Sequence, residues 1–144
     1  MKTPAIFPRM KILIVEDMPT IRQRMKSILY EIGFVNIDEA ECGEEALTLL
    51  QQENACDYPY DLVISDIKMP KMDGLTFLRK VKDNPLLRQT KVFIVTTVSE
   101  TDFILDAISL GASNYLLKPF DYGSIRRKLF QIFYPEIKEI NKVV

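Results

Sequence analysis

The chain has 144 residues, of which 47% are hydrophobic and 27% charged, and its formal net charge is −1. That length favours one domain around a single well-filled core, and the charge balance offers no broad basic field for nucleic acid or an anionic membrane. No apolar run approaches the ~20 residues of a membrane span, and the opening "MKTPAIFPRM" lacks the apolar core of a signal peptide, so a cytoplasmic chain is expected.

The first element is "KILIV", 11–15, a continuous apolar run of the kind needed by a strand buried on both faces. A helix is predicted over "PTIRQRMKSILYEIG", with Pro19 in its first turn and Gly33 as its stop. Ile21, Met25, Ile28, Leu29 and Ile32 fall on one face of it. A weaker strand, "FVNIDEA", 34–40, precedes a helix on "GEEALTLLQQ", where Ala46, Leu49 and Leu50 come together. "LVIS", 62–65, is the third strand, and the helix "GLTFLRKVKD" follows Asp73, a residue suited to an N-cap. "VFIVT", 92–96, a helix in "ETDFILDAISLGA", the strand "YLL", 115–117, and a helix in "DYGSIRRKLFQIF" complete the set. Strand and helix thus alternate five times, which predicts an α/β domain: a doubly wound five-stranded parallel sheet between two helical layers. The domain is expected over 10–134, with 1–9 and 135–144 as terminal extensions and no linker or second domain.

Ligands of such sheets bind beyond the carboxyl ends of the strands. The first strand ends in Glu16-Asp17, the third in Asp66, the fourth in Thr96-Thr97 and the fifth in Lys118-Pro119. Neighbouring strands lie ~4.8 Å apart, so these residues can share one rim. The chain has no histidine, which removes His-based triads and His-ligated zinc and leaves carboxylates, hydroxyls and lysine to carry any chemistry. Cys42 and Cys56 have no metal-ligand spacing and read as free thiols.

Three carboxylates on one rim repel one another, and a hard divalent cation relieves them. Magnesium retains several waters and needs only the few oxygens that Glu16, Asp17 and Asp66 supply. Calcium is disfavoured, because no dense Asp-x-Asp-x-Asp-Gly loop exists. Magnesium, a lysine and a hydroxyl together suit a phosphoryl group, with Lys118 neutralising its oxygens and Thr96 donating a hydrogen bond. Asp66 lies between them and can be the nucleophile that becomes an aspartyl-phosphate. Taken singly, each residue reads more simply as a loop cap, a β-favouring threonine or a solvated lysine; their joint placement at strand ends carries the reading. The glycines form neither a Gly-x-x-x-x-Gly-Lys nor a Gly-x-Gly-x-x-Gly cradle, so the phosphoryl group is expected from a donor and not from bound nucleotide.

The stretches "ILIVEDMPTIR", "DLVISDIKMPKMDGL", "VFIVTT" and "GASNYLLKPF", in this order over roughly 10–134, resemble response-regulator receiver domains of two-component signalling, of the chemotaxis-regulator type. The resemblance implies the flavodoxin-like strand order 2-1-3-4-5. It implies Glu16 and Asp17 as the acidic pair for Mg2+, Asp66 as phosphoacceptor and the backbone carbonyl of Lys68 as a further metal ligand. It implies Thr96 as the switch hydroxyl, Lys118 as the phosphoryl-pairing lysine, a cis Lys118–Pro119 bond, and Tyr115 as an aromatic that changes rotamer on activation. Thr97 stands where a smaller residue is frequent, and its bulk is expected to hinder the water that removes the phosphoryl group. Cys42 stands where Asn or Asp often caps the second helix. Met69-Pro70 reads as a rigid turn and Asp73-Gly74 as a helix cap.

The expected protein is therefore a stand-alone receiver, phosphorylated by a histidine kinase or phosphotransfer protein. It is not a conventional enzyme, yet it catalyses its own Mg2+-dependent phosphorylation and dephosphorylation. Its output is contact with a downstream protein or onward transfer in a phosphorelay. A phosphohydrolase is one rival, but Ile67 and Lys68 follow Asp66 where a second acid would be wanted. An unphosphorylated docking module is the other, and it would be favoured if acids of the rim were lost. Helical bookkeeping gives core stripes of Ile104, Ala107, Ile108 and Gly111 in the fourth helix and Ile125, Leu129, Ile132 and Phe133 in the fifth. Phe103 and Leu110 fall to one side of the first stripe and Leu105 to the other; Phe130 lies off the second, near Arg126. In the resembling family that side of the domain docks partners or a second receiver. Phe103, Arg126 and Phe130 are thus the expected contact to a partner or a second copy.

Overall fold

Strands that read as unbroken apolar runs need cover on both faces, and five helices supply it. The computed structural model describes residues 9–97 and 101–135. The strands are β1 (Lys11–Val15), β2 (Asn36–Ala40), β3 (Leu62–Ser65), β4 (Lys91–Thr96) and β5 (Asn114–Leu117). The helices are α1 (Pro19–Ile32), α2 (Gly43–Ala55), α3 (Gly74–Asp83), α4 (Thr101–Ser109) and α5 (Tyr122–Phe133). All pairings are parallel, in the order β2-β1-β3-β4-β5, so the doubly wound sheet and the order implied by the resemblance both hold.

Successive side chains of a strand point to opposite faces. Ile12 and Ile14 of β1 enter one core cluster with Met25, Ile28, Leu29 and Ile32 of α1 and Ile125, Leu129 and Ile132 of α5. Leu13 and Val15 enter the other, with Ala46 and Leu50 of α2, Phe77, Leu78 and Val81 of α3 and Ala107 of α4. Gly33 ends α1 at φ 129°, a conformation that glycine adopts without a side-chain clash. Asp73 caps α3 by accepting the Thr76 N–H at 2.8 Å, as expected. Cys42 caps α2 without a side-chain hydrogen bond. Both cysteines are free. Among the described residues no helix is long and apolar enough to cross a membrane.

Two expectations about the last helices need correction. The α4 stripe is narrower than the sequence suggests: Ile104 and Ala107 are buried, but Ile108 is 43% exposed. Gly111 lies beyond the helix end, at φ 105°, because α4 stops at Ser109. Phe130 is buried, with only 9% exposure, inside the α1–α5 core cluster. The core stripe of α5 is wide because α1 packs beside it and covers the flank that carries Phe130. The Arg126 guanidinium stacks over that ring at 4.9 Å. The flank of α5 turned to β5 carries instead Lys128 and Gln131, which bond Asn114 at 3.2 and 3.0 Å. Phe103 is exposed on α4, so Phe103, Arg126 and Phe130 do not form one patch.

Candidate phosphoryl and metal site

The sheet ladder continues past the ends of its central strands and fixes the rim. The Glu16 N–H donates to the Ala40 carbonyl at 3.1 Å, and the Asp66 N–H to the Val15 carbonyl at 3.2 Å. On the other side, the Lys118 N–H donates to the Thr96 carbonyl at 2.7 Å. Glu16, Asp66 and Lys118 are therefore placed by backbone pairing. The Lys118–Pro119 peptide is cis, as the resemblance implied.

The side chains then converge. Carboxylate oxygens of Glu16, Asp17 and Asp66 all lie within 4.8 Å of one another. Lys118 Nζ bridges two of the acids, 2.6 Å from Glu16 Oε1 and 2.7 Å from Asp66 Oδ2. The second oxygen of each carboxylate is also held: Asp66 Oδ1 accepts the Ile67 N–H at 2.6 Å, and Glu16 Oε2 accepts the Met18 N–H at 3.2 Å. Arg22 Nη1 donates to the Glu16 carbonyl at 2.8 Å and steadies the turn that carries the acidic pair.

Burial sets the electrostatics. Glu16 and Asp66 are buried. Desolvation raises the Glu16 pKa above the usual carboxylate value, Asp17 adds to this, and hydrogen bonds from Lys118 and Met18 oppose it. For Lys118 burial acts to lower the pKa, but the hydrogen bonds to Asp66 and Glu16 outweigh it and the ammonium is held above its usual value. With the three acids ionised, three carboxylates against one ammonium leave a formal charge of −2 on the rim. A divalent, oxygen-seeking cation fits that donor set.

Thr96 is fully buried, and its Oγ1 has no hydrogen-bond partner among the described residues. A buried hydroxyl without a protein partner is uncommon. Lys68 and Thr97 are exposed. Tyr115 is exposed on the edge strand, its ring 5.0 Å from Lys128 Nζ. The structure thus brings together Glu16, Asp17, Asp66 and Lys118, with Lys68 in the turn that follows Asp66 and Thr96 and Tyr115 on the two strands nearest Lys118. Phe103, Arg126 and Phe130 lie apart from it on α4 and α5. The sequence reading missed Arg22 and the Ile67 amide, since neither carries a motif. It also missed the α5 capping box of Asp121 and Ser124, which the spacing Asp-x-x-Ser could have revealed.

Comparison with known proteins agrees with this architecture. The family model for the response regulator receiver domain matches residues 12–130. The chemotaxis protein CheY of Pseudomonas aeruginosa is 36% identical over 124 residues, covering 86% of this chain and 96% of that protein. The structure of the chemotaxis response regulator CheY4 of Vibrio cholerae has a TM-score of 0.75 at 28% identity, covering 86% of this chain and 98% of the other. The CheX–CheY–BeF3–Mg complex of Borrelia burgdorferi contains a chain with a TM-score of 0.77 at 27% identity, covering 86% of this chain and 89% of that one.

Proposed function

The chain belongs to the response regulator receiver domain family and is a phosphorylation-dependent switch of two-component signalling, and from that premise we propose that Asp66 is its phosphoacceptor. The observation that carries this reading is the Lys118 ammonium bridging Glu16 and Asp66 at 2.6 and 2.7 Å, beside the unpartnered Thr96 hydroxyl.

A histidine kinase or phosphotransfer protein presents a phosphohistidine at the rim. An Asp66 carboxylate oxygen attacks phosphorus; the O–P bond forms as the donor's N–P bond breaks, and that electron pair goes to the departing imidazole nitrogen. Lys118 moves its hydrogen bond from carboxylate to phosphoryl oxygen, and the Thr96 hydroxyl donates to another. Mg2+ held by Glu16, Asp17, Asp66 and the Lys68 carbonyl would supply neutralisation of the developing charge, a fit supported by the −2 rim and by the Mg2+ of the structural neighbour from Borrelia burgdorferi. In a separate hydrolytic step a water oxygen attacks phosphorus; the new O–P bond forms as the Asp66 O–P bond breaks, its electron pair returns to the Asp66 carboxylate, and inorganic phosphate leaves carrying the water's oxygen, its proton lost to solvent, with Thr97 narrowing the approach. Thr96 and Tyr115 carry the change to the exposed surface around Phe103 and Tyr115, where a downstream protein or a second copy makes contact. The switch works in the cytoplasm, the reducing compartment that two free cysteines suit.

The test is Asp66→Asn labelled with acetyl phosphate and Mg2+. The wild type should gain hydroxylamine-sensitive phosphate and the variant none, with unchanged far-UV circular dichroism. Full labelling of a folded Asn variant would place the acceptor elsewhere.

A further inference from the structure

The turn from Asp66 to Gly74 closes on itself. The Gly74 N–H donates to the Ile67 carbonyl at 2.6 Å, which seats the first residue of α3 against the end of β3. A Cβ on Gly74 would lie 2.1 Å from the Asp66 carbonyl oxygen, 2.7 Å from Ile67 Cα and 3.0 Å from the Asp66 carbonyl carbon. All three are backbone atoms, so no flexible side chain can swing away to make room. Gly74 has ordinary helical geometry. Space, and not a special dihedral, is what demands glycine here.

The crowded group is the peptide that joins Asp66 to Ile67. Its carbonyl faces Gly74 and accepts from Ser65 Oγ at 2.8 Å. Its N–H, on the opposite side of the same rigid plane, donates to Asp66 Oδ1 at 2.6 Å. A planar trans peptide moves as one piece, so pushing its carbonyl away from α3 tilts its N–H off the carboxylate. Asp66 would then keep Lys118 on Oδ2 and lose the anchor on Oδ1. We infer that Gly74 is a positioning residue for the acceptor: it sets the Asp66–Ile67 peptide, and that peptide aims the carboxylate. The inference rests on Asp66 being the phosphoacceptor.

Gly43 supplies a matched control. A Cβ there would meet the Met72 carbonyl oxygen at 2.9 Å and Phe77 Cβ at 3.0 Å, crowding the same turn with no atom of Asp66 or Ile67 among its three nearest neighbours. The experiment compares wild type, Gly74→Ala, Gly43→Ala and a chain carrying a backbone ester in place of the Asp66–Ile67 amide, which deletes only that N–H. Each is labelled with acetyl phosphate at saturating Mg2+, and two quantities are read: the final stoichiometry and the first-order rate of the fraction that labels. A structural defect alone lowers the stoichiometry or the melting temperature and leaves that rate unchanged. Gly74→Ala and the ester chain should react about ten- to a hundredfold more slowly, and Gly43→Ala within about twofold of wild type. A folded Gly74→Ala at the wild-type rate overturns the inference, as does a Gly43→Ala slowed equally. If Gly74→Ala does not fold, the ester chain decides, and its labelling at the wild-type rate overturns the inference. A wild type that takes no label at all sinks the phosphoacceptor reading itself, and the inference falls with it.

Discussion

Thr96 hides a hydroxyl where the fold has no use for one. It sits at the end of a central strand, fully buried, with Oγ1 unpartnered among the described residues. Leaving such a group unsatisfied costs about 1–3 kcal/mol. Valine has nearly the same shape and lacks the cost. Thr96→Val should therefore stabilise the unphosphorylated protein by about 1–2 kcal/mol in urea unfolding. It should still accept phosphate at Asp66 but lose the phosphorylation-dependent partner contact. A variant less stable than wild type would mean that the hydroxyl already has a partner. The same logic explains why Lys118 is better legible than Thr96 in structure: its bonds are already made, and only their exchange awaits the phosphoryl group.

Helix α1 is tied to the edge strand β2 by charge. Glu39 accepts from Arg22 Nε at 3.0 Å and pairs with Lys26 Nζ at 3.1 Å, while Arg22 also reaches the Glu16 carbonyl. The tether thus links the sheet edge to the acidic turn of the site. Burial acts to raise the Glu39 pKa, but the Lys26 and Arg22 hydrogen bonds outweigh it and hold the carboxyl below its usual value. A depressed folded-state pKa gives stability that is fully present above the unfolded value of about 4.3 and is lost as pH falls through the folded value. Glu39→Gln should cost about 0.5–1 kcal/mol at neutral pH, the scale of a partly exposed ion pair. That difference should shrink as unfolding is repeated down to about pH 3. A gap that stays constant across the series would remove the ionised carboxylate as its cause. At the start of the neighbouring strand β1, away from the acidic turn, Lys11 acts likewise, its buried ammonium 4.0 Å from the Tyr58 ring and 3.1 Å from Glu53. It pins the connection from α2 to β3.

For the whole molecule, a rim of like charges is a stored repulsion, and a cation that binds only the folded chain relieves it. Mg2+ at a hundred times its dissociation constant should add about 2.7 kcal/mol of stability by mass action. Thermal melts with and without Mg2+ read this directly. Asp17→Asn should remove most of the gain and, in parallel, the labelling of Asp66. Undiminished labelling in excess EDTA would end the metal account. On α4, Phe103, Leu105 and Ile108 are all exposed.

Periodicity and strand-end identity in the sequence were enough for the parallel sheet and for Glu16, Asp17, Asp66, Thr96 and Lys118 as a candidate set, because those signals are local. Apolar runs demand two-sided burial, and the residue after a buried strand necessarily stands on the rim. Phe130 was misjudged because a helical wheel has no knowledge of the neighbour that covers a flank; only the packing of α1 beside α5 widens that stripe. Gly74 was read as part of a cap for the same reason. The role inferred for it depends on how closely the start of α3 is seated against the Asp66 carbonyl, where an added Cβ would lie 2.1 Å away, and that seating arises only when the chain closes. The two hydrogen bonds of Lys118 to Glu16 and Asp66 are likewise tertiary: they join residues far apart in the chain, which come together only when the parallel sheet brings the ends of β1, β3 and β5 to one rim.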